Sequence, residues 1–495
     1  MKFLKLAGLI VLSAFLLIIS FPQIEWAPLG FVALVPLLFA IDGQRPWVAF
    51  RRAYLCGLLF FAGTLGWFIY VTYPGAAVLI AYLTLYIAVF GLAVSFFKYL
   101  PLLPRIFVLA SVWVALEFAR AHLLSGFGWV LLGHSQYKNL LLVQIADITG
   151  VYGVSFLVVL VNLLVFESLK MAINRESNRS IRQAQYVVIA LLLAALAYGF
   201  FVLTRPHAWG SIKVGVVQPN IPQSIKWEES LQPVIVDKTI RLTKSLAKEK
   251  PELIIWPETS LPGIVSEMPH LVARIEETAR AINIPILYGA ITAQGSHYYN
   301  SALLISSDGK SAGRYDKMHL VPFGEYLPLR PILGWISKIV PLEDFTAGEK
   351  YSILEAGCPQ KTFGTLICFE DTVSDVRRGF AKAGAKFFVN ITNDAWFEDT
   401  KAPFLHMQAA VFGCIENKRS LVRSANTGVS VFIDPYGQMI TAVANDSGKR
   451  SFVTGTASAV LPLNNQTTFY TKYGDVFAFF AFLVILGGIC RRKSS

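Results

Sequence analysis

Eight apolar stretches constrain the fold of this chain more than any other feature of its sequence. Seven precede residue 205 and one lies near the end of the chain. Most approach the roughly 20 residues that an α-helix needs to cross a membrane, although the second is short. They cover about 6–21, 27–41, 53–72, 76–97, 106–123, 151–169, 186–203 and 474–490. The sequence therefore predicts seven membrane-spanning helices, a soluble domain and one further spanning helix.

Composition supports a membrane protein with an attached soluble part. Of the 495 residues, 54% are hydrophobic and only 15% are charged, whereas soluble domains carry about a quarter charged residues. The net charge of +12 could indicate a nucleic-acid partner. The basic residues cluster beside apolar stretches, however, where Lys and Arg set membrane topology. We therefore expect no nucleic-acid partner.

The basic residues also predict an orientation. If the N-terminus is cytoplasmic, the loops on that side hold most of the Lys and Arg residues, and Lys138 is the exception on the other side. This bias predicts that both termini are cytoplasmic and that the soluble domain lies across the membrane. Residues 1–21 also resemble a signal peptide, but the small-residue cleavage pattern is missing. The cytoplasmic positions are Lys2, Lys5, Arg45, Arg51, Arg52, Lys98, Arg105, Lys170, Arg175, Arg179, Arg182, Arg491, Arg492 and Lys493.

The region between the last two apolar stretches has soluble composition. It alternates strand-like and helix-like segments, which predicts a layered α/β domain with buried sheets. We place the domain boundaries at 1–205, 206–473 and 474–495. The predicted strands are 213–220, 252–258, 284–291, 300–306, 362–369, 386–393 and 427–434, and the predicted helices lie near 232–249, 268–282, 374–384 and 404–419.

Three reactive residues lie near predicted strand ends, where α/β domains tend to place functional groups. They are Glu258 in LIIWPETS, Lys317 in YDKMHLVPFGEYLP and Cys368 in LICFED. Each has an ordinary structural alternative. Glu258 could be a solvated strand end or a neighbour of a helix N-cap, Lys317 a surface lysine, and Cys368 a packed thiol.

The five cysteines show neither a CxxC pair nor a Cys/His spacing of the zinc kind, so we expect no metal site. A disulfide from Cys368 to Cys358 or Cys414 stays open, because disulfides can persist outside the cytoplasm, on the side of the membrane where the predicted topology places these cysteines.

Taken together, the Glu, Lys and Cys motifs follow the order of the nitrilase superfamily. IIWPET, KMHLVPFGEYLP, ICFED and NITNDAWF closely resemble the apolipoprotein N-acyltransferases, and the resemblance covers essentially the whole chain. It implies a nitrilase-like α-β-β-α sandwich inserted between seven N-terminal transmembrane helices and one at the C-terminus.

The resemblance also implies roles for individual residues. Cys368 would be the nucleophile, Glu258 the general base and Lys317 the cation that stabilises the oxyanion. Glu325 would help to orient Lys317. The further family positions at the site are Glu370, Trp227 and Asn300.

The implied activity transfers a fatty acyl chain from a membrane phospholipid to a diacylated apolipoprotein. The acyl group would first form a thioester with Cys368. The α-amino group of the acceptor's diacylglyceryl cysteine would then attack this thioester. We expect a multi-pass protein of the bacterial inner membrane, a periplasmic catalytic domain, no cofactor and a monomer. Two alternatives stay open: a membrane-tethered amidase, and a scaffold or transporter with an inert domain. Intramembrane charges would support transport, and Glu117 and Arg120 are the main candidates, but we interpret them as a structural pair at the bilayer edge.

Two residues depart from the family pattern. The family usually has glycine where this chain has Glu398, and glutamine where it has Leu405. The path of loop 396–405 therefore stays open, and so does the role of His406, which is either a substrate contact or a structural residue.

The segment 327–342 is apolar for a loop outside the membrane. It is either a lid packed on its own domain or a flap that dips into the membrane through one face. That face would carry Trp335, Ile336 and Ile339.

Overall fold

The computed structural model describes residues 2–175, 179–205, 210–327 and 344–493. The chain forms two compact units. The first comprises residues 1–206, 400–412 and 473–495, and the second comprises 207–399 and 413–472. Residues 328–342 of the predicted lid or flap lie outside the described residues. The domain boundaries given above stay a prediction.

The first unit is helical. Five helices within the described residues are long and apolar enough to cross a membrane. The predicted second span is divided into a 3-10 helix, Ala27–Phe31, and the short helix Val35–Ile41, so the count of seven plus one is not confirmed. The five are Pro46–Tyr70, Tyr73–Phe96, Leu102–Ser125, Val151–Asn174 and Arg179–Thr204.

The helices of both units are numbered here in chain order. They are α1 Lys2–Ile19, α2 Val35–Ile41, α3 Pro46–Leu65, α4 Tyr73–Phe96, α5 Leu102–His122, α6 Leu140–Val143, α7 Ala146–Thr149, α8 Val151–Asn174, α9 Arg179–Thr204, α10 Gln223–Lys226, α11 Gln232–Leu246, α12 Pro269–Ile282, α13 Ser374–Lys382, α14 Ala402–Asn417, α15 Phe469–Tyr473 and α16 Val476–Lys493.

Glu117 and Arg120 are buried polar residues of α5. Glu117 Oε1 accepts a hydrogen bond from the backbone N–H of Leu132 at 2.6 Å and from the Trp113 indole at 3.0 Å. Arg120 donates to the backbone carbonyl of Val130 at 3.1 Å. The bonds to Leu132 and Val130 tie α5 to the segment that follows it, which favours a structural role over transport because a buried polar group needs a partner.

The second unit contains two six-stranded sheets within its described residues. The first has the strand order β12-β1-β2-β3-β4-β5 and the second has β11-β10-β9-β8-β7-β6. In the centres, β1-β2-β3 and β7-β8-β9 are parallel. The strands are β1 Ser211–Gln218, β2 Leu253–Ile255, β3 Ile286–Gln294, β4 His297–Ile305, β5 Ser311–Asp316, β6 Ile353–Glu355, β7 Thr362–Ile367, β8 Phe387–Thr392, β9 Ser420–Ala425, β10 Val431–Ile433, β11 Met439–Ala442 and β12 Gly455–Pro462.

The two sheets pack face to face, with helices on their outer faces. Ser424 of β9 donates across the interface to the backbone carbonyls of Val217 and Ile255, at 3.2 and 3.1 Å. Apolar residues of α11 and α12 form a core with the outer face of the first sheet. On the second sheet, Phe380 of α13 packs so closely over Gly364 that a Cβ there would lie 2.5 Å from the ring. The predicted layered α/β fold is confirmed.

The predicted strands and helices mostly match, but five strands were missed. Strand β9, SLVRSA, is the instructive case, because a strand was expected at 427–434 and only Val431–Ile433 is one there. Arg423 in the middle of β9 interrupts its apolar pattern, although its side chain is fully buried. The other missed strands are β5, β6, β11 and β12.

Candidate active site

Glu258 lies just beyond the carboxyl end of β2, and its side chain is held by two donors. Asn300 Nδ2 donates to Oε1 at 2.7 Å and the backbone N–H of Asn393 donates to Oε2 at 2.9 Å. The turn passes so close to β3 that a Cβ on Gly289 would lie 2.7 Å from the Glu258 Cα. Glu258 is only 7% exposed, so it is not the solvated strand end that the sequence left open.

Lys317 directly follows β5 and is 1% exposed. Its ammonium contacts both carboxylate oxygens of Glu325, at 2.8 and 2.7 Å. Glu325 also accepts hydrogen bonds from Asn300 Nδ2 at 3.0 Å and from the backbone N–H of Val321 at 2.8 Å. Lys317 and Glu325 therefore form an ion pair, and Asn300 joins this pair to Glu258. The orienting role of Glu325 stays a prediction.

Burial and charge act in opposite directions on Lys317. Burial alone would lower its pKa, but the neighbouring Glu325, Cys368 and Glu258 together raise the pKa above its ordinary value. The Lys317 side chain is therefore a permanent cation at physiological pH.

Cys368 follows β7 directly and begins the 3-10 helix Cys368–Thr372. Its backbone φ of +54° lies in the left-handed region, which non-glycine residues adopt rarely and mostly where the surroundings enforce it. The Cys368 residue keeps part of its surface exposed, and all five cysteines are free thiols. The disulfides to Cys358 or Cys414 that the sequence left open are not formed.

Burial, more than the charges around it, keeps the Cys368 thiol neutral at rest. Burial raises the pKa of the thiol well above its ordinary range, and Glu258 raises it further, whereas Lys317 lowers it. A neutral thiol is a poor nucleophile, so any reaction at Cys368 requires a neighbouring base to take its proton.

Glu370, two residues after Cys368, is fully buried. Its Oε1 accepts from the Tyr315 hydroxyl at 2.8 Å and from the backbone N–H groups of Met318 at 2.8 Å and His319 at 3.0 Å. Its Oε2 accepts from the backbone N–H of Ile367 at 2.7 Å. Burial raises the pKa of Glu370 to about 7, although these backbone donors oppose the shift. Glu370 thus fastens the cysteine turn to the loop that follows β5.

Trp227 is 43% exposed, and the residue before it was missed by the sequence interpretation. Lys226 is 2% exposed and donates from Nζ to the backbone carbonyl of Glu258 at 3.1 Å. The only sequence signal was a lysine within the stretch QSIKW, where an exposed position is the ordinary expectation for that residue type.

A buried charge cluster on β9 was also missed. Arg423 forms ion pairs with Asp371, in the cysteine turn, and with Asp394, after β8. Its distance to Asp394 is 3.1 Å, and all three side chains are fully buried. The cluster links the interior of β9 to the segments that follow β7 and β8, and so helps to position Cys368.

The two departures from the family pattern have clear local structures. Glu398 has φ +50° and ψ −173°, so the backbone adopts the conformation that glycine would favour. His406 of α14 is buried and stacks on Trp129, with ring centroids 4.9 Å apart. That packing favours the structural interpretation of His406. Leu405 is also buried.

Among the described residues, no group of three or more His, Cys, Asp or Glu side chains is placed to hold a metal ion.

Comparisons with known proteins agree with both parts of the chain. Residues 13–164 match the family model described as "Apolipoprotein N-acyltransferase N-terminal domain", and residues 213–459 match "Carbon-nitrogen hydrolase". The protein named apolipoprotein N-acyltransferase from Geobacter metallireducens is 37% identical over 94% of this chain and 91% of its own length. This chain belongs to the apolipoprotein N-acyltransferase family. The member from Methylococcus capsulatus is 35% identical, covering 91% of this chain and 90% of its own.

Solved structures similar to this family member belong to the nitrilase superfamily. An amidase from Nesterenkonia sp. is 17% identical with a TM-score of 0.38, covering 55% of this chain and 96% of its own. A carbon-nitrogen hydrolase from Helicobacter pylori is 16% identical with a TM-score of 0.40, covering 51% and 89%. The family match and the two packed sheets together give the second unit a nitrilase-like fold.

Proposed function

We propose that this chain is a phospholipid:apolipoprotein N-acyltransferase that works through a thioester on Cys368. The observation that carries the proposal is the position of that cysteine. It stands at a left-handed turn at the end of β7, within the electrostatic field of Glu258 and of the Lys317–Glu325 pair. A nucleophile, a base and a fixed cation are the groups that acyl transfer requires.

The first half-reaction loads the acyl group. The Glu258 carboxylate takes the proton from Cys368 Sγ, and the thiolate attacks the carbonyl carbon of a phospholipid ester, usually at sn-1. Lys317 stabilises the negative charge on the carbonyl oxygen. The ester C–O bond then breaks, and Glu258 returns its proton to the departing lysophospholipid oxygen. The products are an acyl thioester and a lysophospholipid.

The second half-reaction transfers the acyl group to an amine. The neutral α-amino group of a diacylglyceryl cysteine attacks the thioester carbon, and Glu258 takes a proton from the attacking nitrogen. When the C–S bond breaks, that proton passes to Cys368 Sγ. One base therefore serves both halves, and the site returns to its starting state.

Several residues support the reacting groups without taking part in bond changes. Glu325 fixes the Lys317 ammonium, and Asn300 joins the Lys317–Glu325 pair to Glu258. Glu370 positions the cysteine turn rather than the acceptor amine, because both of its oxygens are already hydrogen-bonded. Trp227, with its exposed ring, is proposed to contact the substrate.

The same proposal includes a membrane topology. Residues 1–205 and 474–495 form the membrane part with eight spans and cytoplasmic termini, and residues 206–473 form the catalytic domain on the periplasmic side of a bacterial inner membrane. The distribution of Lys and Arg beside the apolar stretches supports this orientation. We propose that the protein works as a monomer without a cofactor.

The decisive experiment is detection of the covalent intermediate. Purified full-length protein is incubated with phospholipid, and an acyl adduct on Cys368 is sought by mass spectrometry with and without a diacylated acceptor peptide. We expect an adduct that the peptide discharges with formation of an N-acyl peptide. Cys368→Ala should abolish the adduct, whereas Cys358→Ala and Cys414→Ala should retain it. Discharge by water alone would instead identify an amidase-like hydrolase.

A further inference from the structure

Lys226 is a buried lysine that the proposed mechanism does not use. It ends the short helix α10, and its ammonium donates to the backbone carbonyl of Glu258 at 3.1 Å. A fully buried lysine is rare unless it is paired, because removing a charge from water is costly. Its retention beside the proposed base therefore needs an explanation.

The two lysines of the site differ in how their charge is compensated. Lys317 contacts both carboxylate oxygens of Glu325. Within the described part of the chain, Lys226 forms no ion pair, and its hydrogen bond goes to a neutral carbonyl. The charges that act on Lys226 are those of Glu258 and Cys368 themselves.

We propose that Lys226 is a second cation of the active site, which holds the Glu258 turn by its backbone carbonyl and stabilises the negative charge that moves from Glu258 to Cys368 when the thiol is deprotonated. This inference rests on the proposed function. No proton leaves Lys226 in this step: the Cys368 proton passes to Glu258, and the net charge of those two groups remains minus one. Lys226 is a positioning residue that acts through both.

The charge of Lys226 is itself sensitive to pH. Burial lowers its pKa to about 8, while Glu258 and Cys368 oppose the shift. Glu258 faces Lys226 from the turn after β2 and Cys368 from the end of β7, and Lys317, Glu325 and Asp394 act on the same thiol. Lys226 is therefore charged at neutral pH and becomes neutral as the pH rises above about 8, whereas Lys317 stays charged.

This behaviour predicts a pH-dependent difference between the wild type and a neutral variant. The alkylation rate of a cysteine follows its thiolate fraction, and a nearby opposite charge changes the pKa of a group by about one unit or more. At pH values below about 8, Lys226→Met should alkylate at Cys368 about tenfold more slowly than wild type. Above about pH 8 the two rates should converge, because wild-type Lys226 has then lost its charge.

The assay uses the full-length protein in detergent. Iodoacetamide is added at pH values from about 6 to about 10, and the modified Cys368 peptide is quantified by mass spectrometry, which separates it from the other four cysteines. Lys226→Arg, which keeps a charge and a donor, should match wild type below about pH 8 and exceed it above. Lys248→Met, at an exposed lysine, is the matched control and should follow wild type throughout. Thermal melts of each variant exclude loss of folding.

Two results would overturn the proposal. Either Lys226→Met alkylates like wild type at every pH, or it is slower by one constant factor at every pH, as a merely structural role would predict. The acyl-adduct assay on the same samples separates the two claims. An acyl-Cys368 adduct with unchanged alkylation profiles rejects only the role of Lys226, whereas converging profiles without any adduct reject only the acyltransferase.

Discussion

Glu398 has a strained backbone conformation, and relieving that strain should stabilise the protein. Glu398 is exposed and lies in the loop after NDAWF, with φ +50° and ψ −173°. This region of backbone space is essentially restricted to glycine, because a Cβ clashes with the neighbouring peptide groups. The chain thus keeps a glycine-like conformation at a position where it carries a glutamate, and Glu398→Gly should relieve the strain.

The expected gain is the difference of two terms. A non-glycine residue in such a conformation costs about 1–3 kcal/mol. Glycine also gives the unfolded chain more conformational entropy, which offsets about 0.4–1 kcal/mol of that gain. Since the side chain is exposed, its loss removes little packing. We therefore expect Glu398→Gly to raise the free energy of unfolding by about 1 kcal/mol, which is a rise of about 2–4 °C in Tm for a domain of this size.

The assay is thermal unfolding of the full-length protein in detergent, followed by circular dichroism. Glu398→Ala is the matched control, because it removes the carboxylate but keeps the Cβ and the strain. We expect no gain from Glu398→Ala. Equal gains from both variants would show that the charge rather than the backbone is unfavourable, and no gain from Glu398→Gly would refute the strain argument.

Three further predictions concern charged residues around the site. Glu325→Gln should slow formation of acyl-Cys368 by about 10²–10³-fold, measured by quenched-flow mass spectrometry, because Lys317 loses its charged partner. The pKa of Glu370 is raised to about 7 in the folded state, from about 4.5 in the unfolded chain. Its stabilising contribution is therefore complete below about pH 4.5 and is lost as the pH rises through about 7. The Tm of wild type minus the Tm of Glu370→Gln should therefore fall as the pH rises across that window. Arg423→Met leaves two buried aspartates without their cation and should cost about 3–5 kcal/mol of stability, measured by thermal or chemical unfolding.

The sequence predicted the central strands that are mostly apolar as well as buried. The central strands β2, β7 and β8 are almost wholly buried and mostly apolar, and Glu258 and Cys368 follow two of them, as expected for parallel strands with a functional edge. Glu325 and Lys317 belong to one local motif, and their side chains are in contact.

The features that were missed are buried charges with distant partners. Arg423 breaks the apolar pattern of β9, and Lys226 resembles any lysine in a short helix. Their burial becomes possible only when segments far apart in the sequence supply compensating groups, Asp371 and Asp394 for one and the Glu258 carbonyl for the other. A local pattern contains no information on such partners, so it assigns these residues to the surface.

The candidate site draws its parts from both sheets of the second unit. Glu258, Asn300 and Lys317 come from the ends or interiors of strands in the first sheet, whereas Cys368 comes from the second. The hydrogen bonds of Glu370 to the backbone after β5 join the second sheet to the first. The Cys368 thiol and the Lys317 cation are therefore held by a contact between the sheets. Because a displacement of about 1 Å can cost about 10²-fold in rate, the packing of the two sheets is itself a determinant of the chemistry that the site can perform.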